Sequence, residues 1–165
     1  MKNKDLIFEK RFEYMNLALR EAKKAFDVNE VPVGAVIISP NGKVLAKAYN
    51  LVETKKNVLN HAEILAIQKA IRKCGEKYLM GCSIFVTLEP CYMCAAAISL
   101  AKIRNLYFAG YDEKGGAVVN GLKIYDNVKN LFKPNVFSGI YEEKSREMLK
   151  SFFGNVRESR KNKKT

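Results

Sequence analysis

His61-Ala62-Glu63 and Pro90-Cys91-Tyr92-Met93-Cys94 are the stretches around which this chain is organised. Together they read H-x-E, a spacer, then P-C-x-x-C. His61, Cys91 and Cys94 offer one nitrogen and two sulfurs. A catalytic zinc site uses three such protein ligands and keeps a fourth position for water. Glu63 is left over, two residues from the nitrogen ligand, where a carboxylate can move protons for an activated water. His61 is the only histidine in the sequence, so no second imidazole can complete the site or act as base.

The residues around these motifs place both on helix starts. Asn60 reads as an N-cap for a helix from His61 to Cys74, with Ile64, Leu65 and Ile71 on its core face and Gly75 as its stop. Gly81 to Leu88 is a short apolar run of strand type, broken by Glu89-Pro90. Pro90 suits the head of a second helix, where a missing N–H costs least. Cys91 and Cys94 then share one face of its first turn, close to amide donors that favour thiolate. That helix continues through Ala95-Ala96-Ala97-Ile98-Ser99-Leu100-Ala101 and is apolar on nearly all sides. It is expected to be buried, against a neighbouring element or a second subunit.

Further out, Phe8, Phe12, Met15, Leu19, Ala22 and Phe26 recur at helical spacing and predict an amphipathic helix over Asp5 to Phe26. Val31 to Ile38 reads as a buried strand, Asn41-Gly42 as a hairpin turn, and Lys43 to Tyr49 as the returning strand. Leu106 to Ala109 is a third buried run, and Asn135 to Ile140 a short strand. From Tyr141 a stripe through Ser145, Met148, Leu149, Phe152 and Val156 predicts a final helix. At least one of Phe152 and Phe153 belongs to the core. Alternating strands and helices imply a layered α/β domain with a mixed sheet. No repeat, linker or second domain interrupts residues 1–165, and about 155–165 form a basic tail.

The formal net charge is +12. Such an excess predicts an anionic partner, most simply nucleic acid, although lysine-rich composition also serves solubility. No apolar run is long enough to span a bilayer. Met1 to Lys10 lacks the apolar segment of a signal peptide, which leaves the cytoplasm as the expected compartment. In that compartment the four cysteines stay reduced, so C-x-x-C reads as metal or redox rather than as a disulfide.

Other readings of the cysteines are weaker. A redox C-x-x-C leaves H-x-E without a purpose. A closed structural zinc site needs a fourth ligand. Cys74 lies at the far end of the His61 helix, about 20 Å away, and Cys82 at the far end of a strand. Both read as small buried hydrophobes.

H-x-E with P-C-x-x-C is the pattern of zinc-dependent nucleobase and nucleoside deaminases. A longer match adds Glu30-Val31-Pro32-Val33-Gly34-Ala35-Val36, Asn50 and Thr87-Leu88-Glu89 in the same order. Over nearly its whole length the chain resembles the bacterial tRNA-specific adenosine deaminases of the cytidine/deoxycytidylate deaminase superfamily. The resemblance implies a cytidine-deaminase-like three-layer α/β/α fold with a five-stranded mixed sheet. It implies hydrolytic deamination of adenosine to inosine at the wobble position of a tRNA anticodon, with an arginine tRNA bearing ACG as the expected substrate. It also implies one Zn²⁺ per subunit and a homodimer that engages the anticodon stem-loop.

By the same resemblance, Asn50 contacts the flipped nucleoside, Val33 and Ala62 belong to the base pocket, and Asp112 lies by the target ribose. A carboxylate there suits RNA, since only RNA carries the 2′-hydroxyl. Asp112 close to Gly115 equally fits a turn cap. Lys114, Phe153 and the basic tail would hold neighbouring nucleotides. The run Asn57-Val58-Leu59-Asn60 departs from the family pattern before the histidine. The alternatives are a free-base deaminase acting on guanine or cytosine and, outside enzymes, a zinc-stabilised RNA-binding module. Glu63 argues against the last, because a structural site needs no proton shuttle.

Overall fold

A computed structural model describes residues 2–163; Met1, Lys164 and Thr165, the ends of the predicted 1–165 domain and tail, lie outside the described residues. Helices α1 (Lys2–Glu9) and α2 (Arg11–Asp27) precede a hairpin of β1 (Gly34–Ile38) and β2 (Val44–Tyr49). A short α3 (Val52–Lys55) and then α4 (Ala62–Cys74) lead to β3 (Ser83–Leu88). The order continues α5 (Tyr92–Leu100), β4 (Asn105–Gly110), α6 (Ile124–Asn127), β5 (Asn135–Phe137) and α7 (Glu142–Asn162). The five strands form one mixed sheet in the order β2-β1-β3-β4-β5. β1 is antiparallel to both its neighbours, whereas β3, β4 and β5 run parallel.

Every residue of β1 is buried, as sequence runs without alternation require when both faces of a sheet are covered. Ala35, Ile37, Ile84, Val86, Leu106 and Phe108 face the core shared with α4 and α5. Val36, Ile38, Phe85, Tyr107 and Ala109 face the core that includes Met15, Ala18 and Leu19 of α2. On that second face the Phe85, Tyr107 and Phe137 rings stack across three strands, with centroid spacings of 4.3 and 4.6 Å. This is the predicted three-layer fold.

Two helices differ from the sequence reading. The predicted first helix is interrupted at Lys10. Phe8 and Phe12 stay 44% and 42% exposed; their rings pack on Phe137 and Tyr141 at the sheet's rim while the Arg11 guanidinium lies over both. On α4, the buried face is Ala62, Ala66, Ile67 and Ala70. Ile64, Leu65 and Ile71 are only partly buried, because alanines let the helix approach the sheet more closely than branched side chains would. The final helix also runs on to Asn162, so Arg157, Arg160 and Lys161 of the predicted tail are carried on α7.

Gly34 sets the distance between α2 and the sheet. A Cβ there would stand 2.1 Å from the Ala18 carbonyl oxygen and 2.5 Å from the Ala22 nitrogen, both backbone atoms. Gly34→Ala is therefore expected to cost about 2 kcal/mol or more by overpacking. At about 2–4 °C per kcal/mol for a chain of this size, Tm should fall by about 4–8 °C in a thermal melt. An unchanged Tm would mean that α2 is not seated on β1 as described.

Candidate active site

The register brings one end of four strands together. Gly34 begins β1 opposite Tyr49, the last residue of β2, and Ala35 pairs with Val86 of β3. Leu88 at the end of β3 pairs with Gly110 at the end of β4. The residues just beyond that edge are Val33, Asn50, Glu89 and Asp112, all of which line one cavity of about 260 Å³. Ligands of open α/β sheets commonly gather beyond the ends of strands in this way.

The starts of α4 and α5 supply the rest of that cavity. His61 is the N-cap of α4, with extended backbone (φ −69°, ψ 150°), and Cys91 occupies the same position on α5 (φ −68°, ψ 170°). The α4 cap thus lies one residue, and the α5 start two residues, later than the sequence suggested. An extended cap residue aims its side chain away from its own helix axis, and here the two point at each other. His61 Nδ1 is 3.7 Å from Cys91 Sγ and 3.5 Å from Cys94 Sγ. All three donor atoms lie within 4.8 Å of one another. Tetrahedral zinc with normal bond lengths spaces nitrogen and sulfur by about 3.6 Å, so the group fits that ion. Among the described residues, no other set of histidine, cysteine or carboxylate ligands can hold a metal ion. Cys74 and Cys82 stand apart from it. Cys82 is buried as expected, but Cys74, the last residue of α4, is exposed.

The electrostatics of the cluster follow from its packing. The Cys94 thiol, hydrogen-bonded to its neighbour, helps hold Cys91 down at about 4, and the same shared proton pushes Cys94 upward. His61 is raised, chiefly by its contact with Cys91. A bound cation would take the place of these protons, since it binds both sulfurs as thiolates.

Glu63 lines the cavity and is 3% exposed. Its Oε2 is the one buried side-chain polar atom without a hydrogen-bond partner among the described residues. Burial pushes the carboxyl up to about 7. An unpaired buried carboxylate is expensive, so its place beside three metal-capable donors is an arrangement that chemistry, rather than stability, explains.

The remaining expected residues divide. Asn50 Oδ1 accepts the Ala62 N–H at 2.9 Å, which settles the amide's orientation and leaves its NH₂ as a donor. Val33 lines the cavity. Ala62 is fully buried behind the cavity wall, where its N–H serves Asn50. Asp112 lines the cavity and also caps its own turn: Oδ1 accepts the N–H groups of Lys114 and Gly115. The turn-cap reading of that residue is thus realised, and Oδ2 stays outside the turn's hydrogen bonds. The Lys114 side chain is exposed. Phe153 is 44% exposed and lines an adjoining groove with Tyr111, Arg146 and Lys150, while Phe152 is core.

Two buried glutamates of the cavity lining escaped the sequence reading. Glu30, 1% exposed, accepts the N–H groups of Glu53 and Thr54 and so ties α3 to the cavity rim. Glu89, 2% exposed, accepts from Asp112, Val118, Val119 and Asn120. The available signal was a glutamate beside a strand end and next to or near a proline, in otherwise apolar surroundings: Glu30-Val31-Pro32 and Glu89-Pro90.

The chain matches the MafB19-like deaminase family over residues 9–157. It is 44% identical over 145 residues to the tRNA-specific adenosine deaminase of Rickettsia bellii, covering 87% of this chain and 100% of that protein. The chain belongs to the tRNA-specific adenosine deaminase family. A solved structure from work on A-to-I editing by tRNA:A34 deaminases at the wobble position of transfer RNA is 44% identical to this deaminase. It superposes with a TM-score of 0.80, covering 83% of this chain and 99% of that one. The guanine deaminase of Nitrosomonas europaea shares the deaminase fold, with a TM-score of 0.75 at 19% identity, covering 86% of this chain and 83% of that one.

Proposed function

We propose that this chain deaminates adenosine to inosine at the wobble position of a tRNA anticodon, with an arginine tRNA bearing ACG as substrate. The observation that carries the chemistry is the buried Glu63 carboxylate, its Oε2 without a hydrogen-bond partner among the described residues, beside His61, Cys91 and Cys94. Family membership, through a relative covered along its full length, carries the substrate class.

His61, Cys91 and Cys94 would hold one Zn²⁺ per subunit. Bound there, zinc supplies a Lewis acid that acidifies water and offsets charge developing on the substrate. Glu63 takes a proton from the attacking water and delivers it to the ring nitrogen beside the attacked carbon. It then assists departure of the amino group. Adenosine and water give inosine and ammonia. Asn50 offers its NH₂ to the flipped nucleoside, Val33 packs against the base, and Ala62 holds Asn50 in place. Asp112 offers Oδ2 to the ribose hydroxyl. Lys114, Phe153 and the basic end of α7 would hold the neighbouring nucleotides by charge and stacking.

Among the described residues no helix is long and apolar enough to cross a membrane. We place the protein in the cytoplasm, with its tRNA. A homodimer is part of the same reading. α5, apolar all round, leaves Tyr92 and Leu100 64% and 70% exposed. Ile64, Ile71, Tyr78, Ala97 and Leu100 line one shallow groove between α4 and α5, a face that a second copy would cover. Sedimentation should show a dimer, and Leu100→Asp should shift it to monomer. A monomeric parent protein would remove the second subunit from this reading.

The functional test is incubation with an arginine tRNA transcript carrying an ACG anticodon, followed by sequencing for A-to-G readout at the wobble position. Free adenosine, guanine and cytosine run alongside. Wobble inosine is the expected product. Ammonia from a free base without tRNA editing would move this enzyme to nucleobase chemistry.

A further inference from the structure

Glu89 is a buried carboxylate with five hydrogen-bond donors and, among the described residues, no ion-pair partner. Oε1 accepts the N–H groups of Val118, Val119 and Asn120 at 3.1, 2.8 and 2.9 Å. Oε2 accepts the Asp112 N–H at 3.1 Å and Asn120 Nδ2 at 2.7 Å. The loop it binds begins at Asp112 and ends at Asn120, so one side chain ties down both ends.

The loop is built to admit that carboxylate. At Gly116 a Cβ would stand 2.4 Å from Glu89 Cδ and 2.6 Å from Oε2, so only glycine leaves room. The Ala117 N–H donates to the Pro90 carbonyl at 3.0 Å, and the Gly116 N–H to the Asp112 carbonyl at 2.9 Å. Glu89 itself is anchored to the sheet through its N–H on the Gly110 carbonyl at 2.8 Å. It stands two residues before Cys91, so the zinc-site helix and the Asp112 loop share one rigid connection. Glutamine could not replace it: its NH₂ would face at least one of two sets of N–H donors, since every lone pair in use is an acceptor.

We propose that Glu89 is a positioning residue for sugar recognition. By clamping the 112–120 loop it holds Asp112 at the place of the target ribose and so sets the preference for a ribonucleoside over a deoxyribonucleoside. The inference rests on the reading of Asp112 given under the proposed function. Glu89 touches no reacting atom. It acts through the Asp112 backbone, whose N–H it receives, and through the turn that Asp112 Oδ1 then closes.

The test uses the full-length, zinc-loaded enzyme and two anticodon stem-loops. One is all RNA; the other carries 2′-deoxyadenosine at the target position only. The parent enzyme should favour the ribonucleotide by about tenfold in kcat/KM, the range of one hydrogen bond. Glu89→Gln should bring that ratio close to one while zinc content stays at one per subunit. Asp112→Asn should do the same, and the double variant should lose no more than either single one, since coupled residues are not additive. A loss of folding stability alone would lower both activities together and leave their ratio unchanged. If Glu89→Gln does not fold, Asn120→Ala removes only the Nδ2 donor and should lower the ratio part-way. A folded variant of either kind that keeps the parent ratio overturns the proposal. A parent enzyme that treats both stem-loops equally overturns it through Asp112. A parent enzyme that deaminates neither overturns the functional reading itself.

Discussion

Glu63→Ala is expected to lower turnover on the tRNA substrate by about 10²–10⁴-fold, the usual contribution of a positioned acid–base group, and to leave zinc bound. The expectation separates two roles that H-x-E alone leaves together. His61 points its Nδ1 at both sulfurs, whereas Glu63 lies outside the metal-capable set while still facing the cavity. Its Oε2 has no hydrogen-bond partner among the described residues, so loss of that oxygen leaves no donor stranded. The variant should therefore also melt no lower than the parent, because an unsatisfied buried carboxylate costs stability rather than supplying it. Elemental analysis, a thermal melt and single-turnover kinetics read the three consequences separately. Loss of zinc from Glu63→Ala would make this carboxylate a ligand. A lower Tm with metal retained would make it part of the fold.

The second large effect is expected from the metal itself. Chelation, or Cys91→Ser or Cys94→Ser, should remove both zinc and activity. Readdition of zinc should restore the chelated parent but neither variant. Because the ion binds the folded site and not the open chain, saturation also stabilises. At a thousandfold excess over Kd the gain is about 4 kcal/mol, and a chelated sample should melt several degrees lower. Cys74→Ser is the control: Cys74 is exposed and lies outside the donor group, so zinc, activity and Tm should stay at parent values. Full activity after exhaustive, verified zinc removal would overturn the zinc mechanism while leaving the fold untouched.

Much of this was readable before the structure because local chemistry dictated it. The zinc donors and Glu63 follow from residue types at short spacing beside helix starts, and short-range spacing survives any arrangement of the rest. The β1–β2 hairpin was readable from Asn41-Gly42, where Gly42 indeed takes φ +84°, and the end of α4 from Gly75 at φ +68°. The buried strands β1, β3 and β4 were legible as unbroken apolar runs because a sheet covered on both faces has no polar side to alternate.

What could not be read this way depended on partners distant in sequence. Phe8 and Phe12 belong to a helical stripe, yet they pack at the sheet's rim on Phe137 and Tyr141. Ile64 and Ile71 look like core, yet they line a groove with Tyr78, Ala97 and Leu100. Periodicity reports which side of a helix is apolar and not what that side meets. The two buried glutamates show the same limit in polar form. Glu30 serves an element more than twenty residues later through Glu53 and Thr54, and Glu89 a loop ending at Asn120. The nearby proline and apolar surroundings mark each only weakly, because burial of a charge is decided by whether distant N–H groups arrive to satisfy it. The sequence by itself determined which residues could hold a metal, His61, Cys91 and Cys94, which carboxylate stands beside them, and the layered fold that brings them together. Only the tertiary structure decided the shape of the cavity, because the strand register alone brings Val33, Asn50, Glu89 and Asp112 to one edge of the sheet.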